Sequence, residues 1–298
     1  MIRILAVFLA AALSTGAVAA DKPAKAKVIK ASNVSSSAAI YDADGMPLLK
    51  SAGALVLDPA TGQTLFAKNA DEVTPIASIT KVMTAMIVLD AKLPLDEAIQ
   101  ITNEDIDLLK NTRSRLPIGS HFRRDDLMRL ALMASDNRAA SALGRSYPGG
   151  LPAFVGAMNA KAKTLGLTRT HYVDSSGLSP ANVSSPQDLG KLVTAASRYP
   201  LIREYSTTRA VNVTLPDSKK TMTFVNTNGL VRGGDWNIGL SKTGYIAEAG
   251  KCLVMQAMIS NQPVVIVLLD SWGRLTRIGD ANRIKRWLEK HPAKLVSG

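Results

Sequence analysis

The chain has 298 residues, of which 46% are hydrophobic, 20% charged and 5% aromatic, and its formal net charge is +12. This length and hydrophobic content allow a sizeable core, so we expect a globular protein of one or two domains. The positive charge favours anionic partners. The cationic residues are nevertheless spread along the sequence without a nucleic-acid-binding signature, so no nucleic-acid partner is predicted.

The first twenty residues have the pattern of a secretory signal peptide. Arg3 supplies a positive charge, residues 4–13 form an apolar run, and Val18, Ala19 and Ala20 provide small residues for cleavage. An apolar run of about ten residues is too short to span a bilayer. We therefore predict a cleaved signal at residues 1–20 and a periplasmic protein with at most peripheral membrane contact. A retained membrane anchor is the alternative.

The remaining sequence divides by composition into three parts. Residues 21–50 are rich in Ala, Lys and Ser without sustained periodicity, which predicts a flexible leader. Residues 51–290 carry the patterned segments and are predicted to form one domain. Residues 291–298 are predicted to be a short C-terminal tail.

The predicted elements begin with a β-hairpin and continue with helices. Two strand-like runs, residues 54–57 and 63–68, flank the turn-forming residues 58–62. Apolar periodicity then predicts a helix over residues 78–93, which places Ser78 at a helix start. Three further helices are predicted: one opening at Asp125 or Asp126 and running through Met133, one over about 151–163, and one capped by Ser184 or Ser185 with Pro186 at its first position.

The C-terminal third returns to strands. Residues 238–243, 252–259 and 264–269 are strand-like, with a turn at 260–262, and a final helix is predicted over 276–288. Strands at both ends of the domain with helices between them predict an α/β (α+β) fold. Its antiparallel sheet is assembled from distant parts of the chain and flanked by helices.

Three short polar patterns occur in the order that a serine acyl-transfer site needs. Each pattern alone is weak, but together they are strong. A serine hydroxyl is a poor nucleophile until a base takes its proton. Ser78 and Lys81 lie on one helix face, and the lysine can act as base if burial or a second cation, such as Lys242, lowers its pKa. The three patterns are Ser78-Ile79-Thr80-Lys81, Ser135-Asp136-Asn137 and Lys242-Thr243-Gly244.

Other nucleophile arrangements are disfavoured. His121, His171 and His291 do not accompany a Gly-x-Ser-x-Gly motif and are interpreted as surface or packing residues. Cys252 lies in a strand-like setting and is interpreted as a buried small hydrophobe rather than a catalytic thiol. No cluster of metal-ligating residues is visible, so we predict no metal and no cofactor.

With all three patterns in place, the chain resembles the low-molecular-mass penicillin-binding proteins, the serine D-alanyl-D-alanine peptidases. The likeness covers roughly residues 51–288 and is closest to the endopeptidases of the family. That family has a β-lactamase/transpeptidase-like fold, in which an inserted all-helical lobe bears the Ser135 pattern and faces the sheet across a catalytic cleft. The further similar segments are residues 75–77, 83–86, 93–97, 137–140, 158–163 and 226–228.

The resemblance implies roles for the first two patterns. Ser78 attacks the D-alanyl carbonyl and forms an acyl-enzyme, and Lys81 is the general base. Ser135 relays a proton toward the leaving amine. Asn137 orients Lys81 and hydrogen-bonds the substrate amide. The implied substrates are peptidoglycan peptides, and β-lactam antibiotics are the implied covalent inhibitors.

The resemblance also implies roles for the third pattern. Lys242 and Thr243 hold the carboxylate on the leaving side of the substrate. Gly244 lets its strand approach closely. The oxyanion lies between the backbone N–H groups of Ser78 and Tyr245, and the loss of one such donor typically costs about 3 kcal/mol of transition-state stabilisation.

Within the resemblance, three activities must be separated. A class A β-lactamase is disfavoured because Glu204 is the sole glutamate between Arg138 and Ser241, and Thr208 stands where that enzyme needs an Asn; Asp136 nevertheless matches its middle motif. Many carboxypeptidases of the family add a second domain and a membrane helix, whereas this sequence stops soon after the last predicted helix. We therefore favour an endopeptidase that cleaves D-alanyl to meso-diaminopimelyl cross-links. A D-alanyl-D-alanine carboxypeptidase and a non-catalytic wall-peptide module remain alternatives.

Overall fold

The computed structural model describes residues 41–215 and 220–291. The predicted signal peptide, residues 21–40 of the predicted leader and residues 292–298 of the predicted tail lie outside the described residues. The strands are β1 (Ser51–Leu57), β2 (Thr64–Lys68), β3 (Thr74–Pro75), β4 (Ala98–Gln100), β5 (His121–Arg123), β6 (Val183–Ser184), β7 (Ala210–Thr214), β8 (Thr221–Val225), β9 (Asn237–Ile246), β10 (Gly250–Ile259) and β11 (Gln262–Ser271). The helices are α1 (Thr80–Asp90), α2 (Arg124–Met133), α3 (Asn137–Arg145), α4 (Gly150–Thr164), α5 (Pro186–Ala196), α6 (Pro200–Thr207), α7 (Gly229–Gly233) and α8 (Thr276–Lys290).

The main sheet has five antiparallel strands in the order β2-β1-β11-β10-β9. Strands from the two ends of the domain are neighbours, with Leu55 of β1 opposite Val267 of β11. The predicted hairpin is the β1–β2 pair. The fold prediction is therefore confirmed: an antiparallel sheet is built from distant segments and flanked by helices. Strand β9 is at the edge of this sheet, where a second chain can lie alongside it.

Both faces of the sheet are buried, which explains the uninterrupted apolar run in β11. Residues 264–269 are all buried, and their side chains alternate between two cores. Val265 and Val267 face a core shared with α1 and α5, whereas Ile266 and Leu268 face a core shared with α8. Covering both faces removes the polar alternation that a half-exposed strand would show.

The described part of the predicted leader, residues 41–50, contacts the domain. Leu49 is buried in the core under α8. The backbone N–H groups of Lys50 and Ser51 donate to the buried carboxylate of Asp280 at 3.0 and 2.7 Å, and Arg283 donates to the same carboxylate at 2.6 Å. A buried carboxylate requires such donors. Contacts that hold the chain to α8 therefore begin before residue 51, and the predicted division of the sequence into signal, leader, domain and tail stays a prediction.

Most predicted helices are present with shifted ends. Helix α5 has the predicted cap: the Ser185 side chain accepts from the Asp188 N–H and Pro186 occupies the first position. The predicted helix over 78–93 is divided, since Ala77–Ile79 is a 3-10 turn and α1 begins at Thr80. Among the described residues, no helix combines the length and apolar character needed to cross a membrane. The elements that sequence reasoning did not predict include α3, α6 and the β7–β8 hairpin.

Candidate active site

The first predicted pair, Ser78 and Lys81, meets at the start of α1. Lys81 is fully buried. Its Nζ donates to Ser78 Oγ at 2.8 Å, to Asn137 Oδ1 at 2.7 Å and to the Ser176 carbonyl at 2.6 Å. These three acceptors match the three hydrogens of an ammonium group. After deprotonation, the two remaining N–H groups can still hold Asn137 and Ser176, and the lone pair is left for the Ser78 hydroxyl.

Burial sets the basicity of Lys81. It lowers the pKa of this lysine to about 8, although Asp174, Asp136 and Asp107 act in the opposite direction. Desolvation disfavours the charged ammonium, whereas nearby carboxylates favour it. Lys81 is therefore far more often neutral near pH 7 than an exposed lysine. This is the condition that a lysine base must meet.

A second serine–lysine pair, which was not predicted, joins Ser135 to Lys242. The Lys242 Nζ donates to Ser135 Oγ and to the Thr243 carbonyl, both at 2.8 Å. Burial first, and then repulsion by Lys81 and Arg277, lower the pKa of Lys242 well below its ordinary value. The sequence analysis offered burial or a second cation, such as Lys242, as the cause of a lowered pKa at Lys81. In the structure burial lowers the pKa of Lys81, whereas Lys242 is not among the causes.

Asn137 is held from two sides. It is the first residue of α3, and the Asp136 side chain caps that helix by accepting from the Ala139 N–H at 3.0 Å. Its Oδ1 accepts from Lys81, and its Nδ2 donates to Thr112 Oγ1 at 2.8 Å. This fixes the amide orientation, with the oxygen facing the lysine. The second N–H of Nδ2 is available to other acceptors.

Two glycines flank the turn that carries Ser78. A Cβ atom at Gly244 of β9 would lie 2.9 Å from the Ile76 carbonyl and 3.3 Å from the Ser78 nitrogen. A Cβ atom at Gly177 would clash directly with the Ala77 carbonyl. The serine turn is therefore held between β9 and the 174–177 turn at distances that exclude a side chain at either glycine.

The backbone is strained on both sides of the site. Ala77 has φ 48° and Ser135 has φ 58°, in the left-handed region that residues other than glycine rarely occupy. Such conformations cost of order 1–3 kcal/mol each and persist where surrounding contacts enforce them. Here the contacts of Gly177 and Gly244 hold Ala77, and the Lys242 bond holds the Ser135 side chain.

The cleft between β9 and the helices brings the predicted site residues together. Thr227 and Arg277 also line it, and sequence reasoning gave neither of them a role. Thr227 Oγ1 lies 2.6 Å from Thr243 Oγ1, and Arg277 Nη1 donates to the Gly244 carbonyl at 2.9 Å. Thr227 belongs to a segment noted for its family likeness, but Arg277 is in a distant helix and has no motif signal. The residues lining the cleft are Ser78, Ser135, Asn137, Thr227, Thr243, Gly244, Tyr245 and Arg277.

The alternative nucleophiles lie elsewhere. None of the three histidines is among the residues that line the cleft. Cys252 is fully buried, and burial raises the pKa of its thiol to about 11, which confirms the prediction of a buried small hydrophobe. Across residues 41–215 and 220–291, no group of three or more His, Cys, Asp or Glu side chains is placed to hold a metal ion.

Comparison with known proteins adds three findings. Residues 41–272 match the peptidase S11 family, described as D-alanyl-D-alanine carboxypeptidase. A D-alanyl-D-alanine endopeptidase of Pseudomonas aeruginosa is 49% identical over 248 residues (82% of this chain and 80% of the relative), and one of Escherichia coli is 46% identical over 243 residues (82% and 78%). The crystal structure of the Streptomyces K15 DD-transpeptidase superposes with a TM-score of 0.76 at 31% identity, covering 81% of this chain and 97% of that one.

Proposed function

The chain belongs to the peptidase S11 family, and from this premise we propose that it is a serine D,D-endopeptidase of peptidoglycan. It cleaves D-alanyl to meso-diaminopimelyl cross-links through an acyl-enzyme on Ser78. The observation that carries the mechanism is the contact between the buried Lys81 Nζ and Ser78 Oγ at 2.8 Å. A neutral lysine at this distance can take the serine proton.

Acylation begins when neutral Lys81 removes the proton of Ser78 and Oγ bonds to the D-alanyl carbonyl carbon. The carbonyl oxygen becomes an oxyanion between the backbone N–H groups of Ser78 and Tyr245. Collapse of this intermediate breaks the C–N bond. Ser135, which accepts from Lys242, gives its proton to the departing amine and takes up the proton that Lys81 removed from Ser78, so Lys81 is a neutral amine again.

Deacylation returns the enzyme to its starting state. Lys81 takes a proton from water, the hydroxide attacks the ester carbon, and the tetrahedral intermediate releases Ser78 Oγ. The serine regains its proton from Lys81, and the free D-alanyl carboxylate leaves. The proton of Ser78 leaves with the amine in acylation and is replaced by one from water in deacylation, and Lys81 is neutral at the end of each half-reaction, so no cofactor is consumed.

The leaving side of the cleft is suited to a carboxylate. Thr243 presents a hydroxyl there, and the Lys242 ammonium lies behind it. The Arg277 guanidinium, which donates to the Gly244 carbonyl of β9, adds a second positive charge. The leaving diaminopimelyl residue carries a carboxylate next to the amine that departs, as a terminal D-alanine does. These side chains therefore support a D,D-peptidase of either kind. The support for an endopeptidase comes from the names of the two relatives.

The distinguishing experiment is digestion of purified cross-linked muropeptides followed by mass analysis. We expect dimers to become monomers, with one water added for each cross-link broken. Loss of a single alanine from intact dimers would instead establish a carboxypeptidase. β-Lactams, which resemble the substrate, are expected to acylate Ser78, and the periplasm is the proposed location because the predicted signal peptide leads to the compartment that contains the substrate.

A substitution at Gly244 tests whether the approach of β9 to the serine turn matters for the chemistry. In Gly244→Ala the new methyl group would press on the Ile76 carbonyl and displace the strand that carries the Tyr245 N–H. We expect the rate of acylation by labelled penicillin to fall about tenfold to a hundredfold, since small displacements in a preorganised site have effects of that size. Gly156→Ala in α4 is the matched control, because a Cβ there meets open space. Equal rates for the two variants would contradict this role.

A further inference from the structure

A second pocket adjoins the cleft and shares Tyr245 with it. It lies where the β9–β10 turn meets the end of β11. Its lining combines two aromatic side chains with one cation and one carboxylate: Tyr245, Trp272, Lys251 and Asp270. We propose that this pocket, named here the acyl-side pocket, binds the zwitterionic side-chain end of a diaminopimelyl residue in the stem whose D-alanyl carbonyl is attacked. This inference rests on the proposed function.

The direction of β9 places the pocket on the acyl side of the substrate. Thr243 faces the proposed leaving-side carboxylate, and Tyr245, two residues further, provides the proposed oxyanion N–H. A substrate lying along the edge strand therefore runs from its leaving group at Thr243, through the scissile carbonyl, toward the end of β9. The acyl-side pocket begins at the Tyr245 side chain and continues past that point. In the stem whose carbonyl is attacked, the residue preceding the D-alanine is therefore the one within reach of the acyl-side pocket.

The two charged side chains of the pocket are built into its walls. Lys251 lies opposite Tyr245 in the β9–β10 ladder, and its Nζ is 4.0 Å from the Tyr245 ring centroid. Asp270 lies at an irregularity in the β10–β11 register and has φ 46°. Its carboxylate packs against Gly250, where a Cβ would clash with Oδ1. A bulge of this kind redirects a side chain at the rim of a sheet.

Both charges are available for a ligand. Within the described residues, neither the Lys251 ammonium nor the Asp270 carboxylate has an ion-pair partner, whereas the nearby Glu248 is paired with Lys110. Both Lys251 and Asp270 are half-buried, so a ligand between them would be partly removed from water. Charge-assisted hydrogen bonds in such a setting are stronger than those on an open surface.

The chemistry of the pocket matches one particular side chain. A cross-link joins two copies of the same stem, so the residue before the attacked D-alanine is also meso-diaminopimelate. Its side chain is three methylenes ending in a carbon that bears one ammonium and one carboxylate. Asp270 complements the ammonium and Lys251 the carboxylate. The rings of Tyr245 and of Trp272, which is 81% exposed, are placed to cover the methylenes.

This arrangement makes a prediction about substrate choice. If the amine of the donor diaminopimelate is itself cross-linked, its positive charge is lost and its carbon carries a bulky amide. We therefore expect the enzyme to prefer cross-links in which the donor diaminopimelate side chain is a free zwitterion. It should degrade trimers from the end that carries such a side chain.

The experiment compares two synthetic cross-linked peptides that differ at the third residue of the donor stem. One carries meso-diaminopimelate and the other L-lysine, which lacks the side-chain carboxylate; the leaving stem is the same in both. We expect the wild-type protein to cleave the first with a kcat/KM about tenfold higher, the effect of about one hydrogen bond to a charged group. We expect Lys251→Met to reduce this ratio to about one, with acylation by benzylpenicillin unchanged because benzylpenicillin lacks a stem.

The matched control is Lys285→Met. Lys285 also lies over an aromatic ring, with Nζ 5.0 Å from the Trp236 centroid, but on α8 away from the cleft. It is expected to keep the wild-type preference. The pocket assignment alone would be overturned if the wild-type protein is acylated normally by penicillin and cleaves both peptides at equal rates. It would also be overturned if acylation and cleavage are normal and Lys251→Met keeps the wild-type preference. Absence of penicillin acylation and of all cleavage in the wild type would overturn the proposed function and the pocket assignment with it.

Discussion

We expect Ser78→Ala to abolish covalent labelling by penicillin and to lower the rate of muropeptide cleavage by at least about four orders of magnitude. The reason is that Ser78 Oγ is the atom proposed to form the ester. It is also the hydroxyl that Lys81 Nζ contacts at 2.8 Å at the start of α1. Without this oxygen, neither the β-lactam carbonyl nor the D-alanyl carbonyl has an acceptor for its acyl group.

The variant is expected to fold. In Ser78→Ala, Lys81 retains two of its three acceptors, Asn137 Oδ1 and the Ser176 carbonyl, which match the two N–H groups of the neutral amine. Intact-mass analysis after incubation with benzylpenicillin measures the acyl-enzyme directly, and a thermal melt reports on the fold. Ser197→Ala is the matched control, because that hydroxyl donates to the Thr194 carbonyl at the end of α5 and lies outside the cleft.

Persistent labelling of folded Ser78→Ala would place the nucleophile elsewhere. Ser135 is the other serine that lines the cleft, and its Oγ accepts from Lys242. Peptide mapping of the labelled protein would locate the adduct. An adduct on Ser135 would contradict the proposed division of roles, in which Lys81 serves the nucleophile and Lys242 serves proton relay and carboxylate binding.

Local sequence patterns predicted several elements of the domain. The turn at 58–62 gave the β1–β2 hairpin, Ser185 with Pro186 gave the start of α5, and the apolar runs near the C-terminus gave β10 and β11. These features depend on neighbours within a few residues, so their cause is present in the sequence itself. The prediction that one sheet combines strands from both ends of the domain followed because these apolar strands had to share a core; the order of the strands was not predicted.

The parts that were missed depend on contacts between distant segments. Arg277 enters the cleft from α8 and donates to carbonyls of β9 and β10, at Gly244 and Cys252. No spacing in the sequence relates an arginine at 277 to a serine at 78. Likewise, the Ser176 carbonyl that accepts from Lys81 is a backbone atom, and any residue type could have supplied it.

The 3-10 turn at Ala77–Ile79 shows a second limit. Apolar periodicity predicted that the helix begins at Ser78, whereas α1 begins two residues later. The close approach of Gly177 and Gly244 to the Ala77–Ser78 backbone holds the turn in place. Tertiary contact therefore overrides the local preference at the position of the proposed nucleophile, as is common at sites that store strain.

The second large expected effect concerns Lys81. Its role as a base can be tested through the pH dependence of the acylation rate. Its pKa of about 8 results from burial, opposed by three carboxylates. The active form is the neutral amine. Below the pKa the ammonium predominates, so the acylation rate falls by about tenfold for each pH unit; above the pKa the rate reaches a plateau. An ordinary lysine base, with a pKa near 10.4, would still be gaining rate at pH 9 to 10.

We expect Lys81→Met to lower the penicillin acylation rate about a hundredfold to ten-thousandfold, the usual contribution of a positioned general base. The unbranched methionine side chain fills similar space, but Asn137 Oδ1 and the Ser176 carbonyl lose their donor, so some loss of stability is also expected. The pH profile separates the two effects, because a purely structural role would lower the rate equally at every pH. In Lys81→Met the rise of the acylation rate through pH 8 should disappear. The control Lys161→Met removes an ammonium of α4 that is paired with Asp90, and it should keep the rise. A wild-type rate independent of pH between about 6 and 9 would show that Lys81 is not the base.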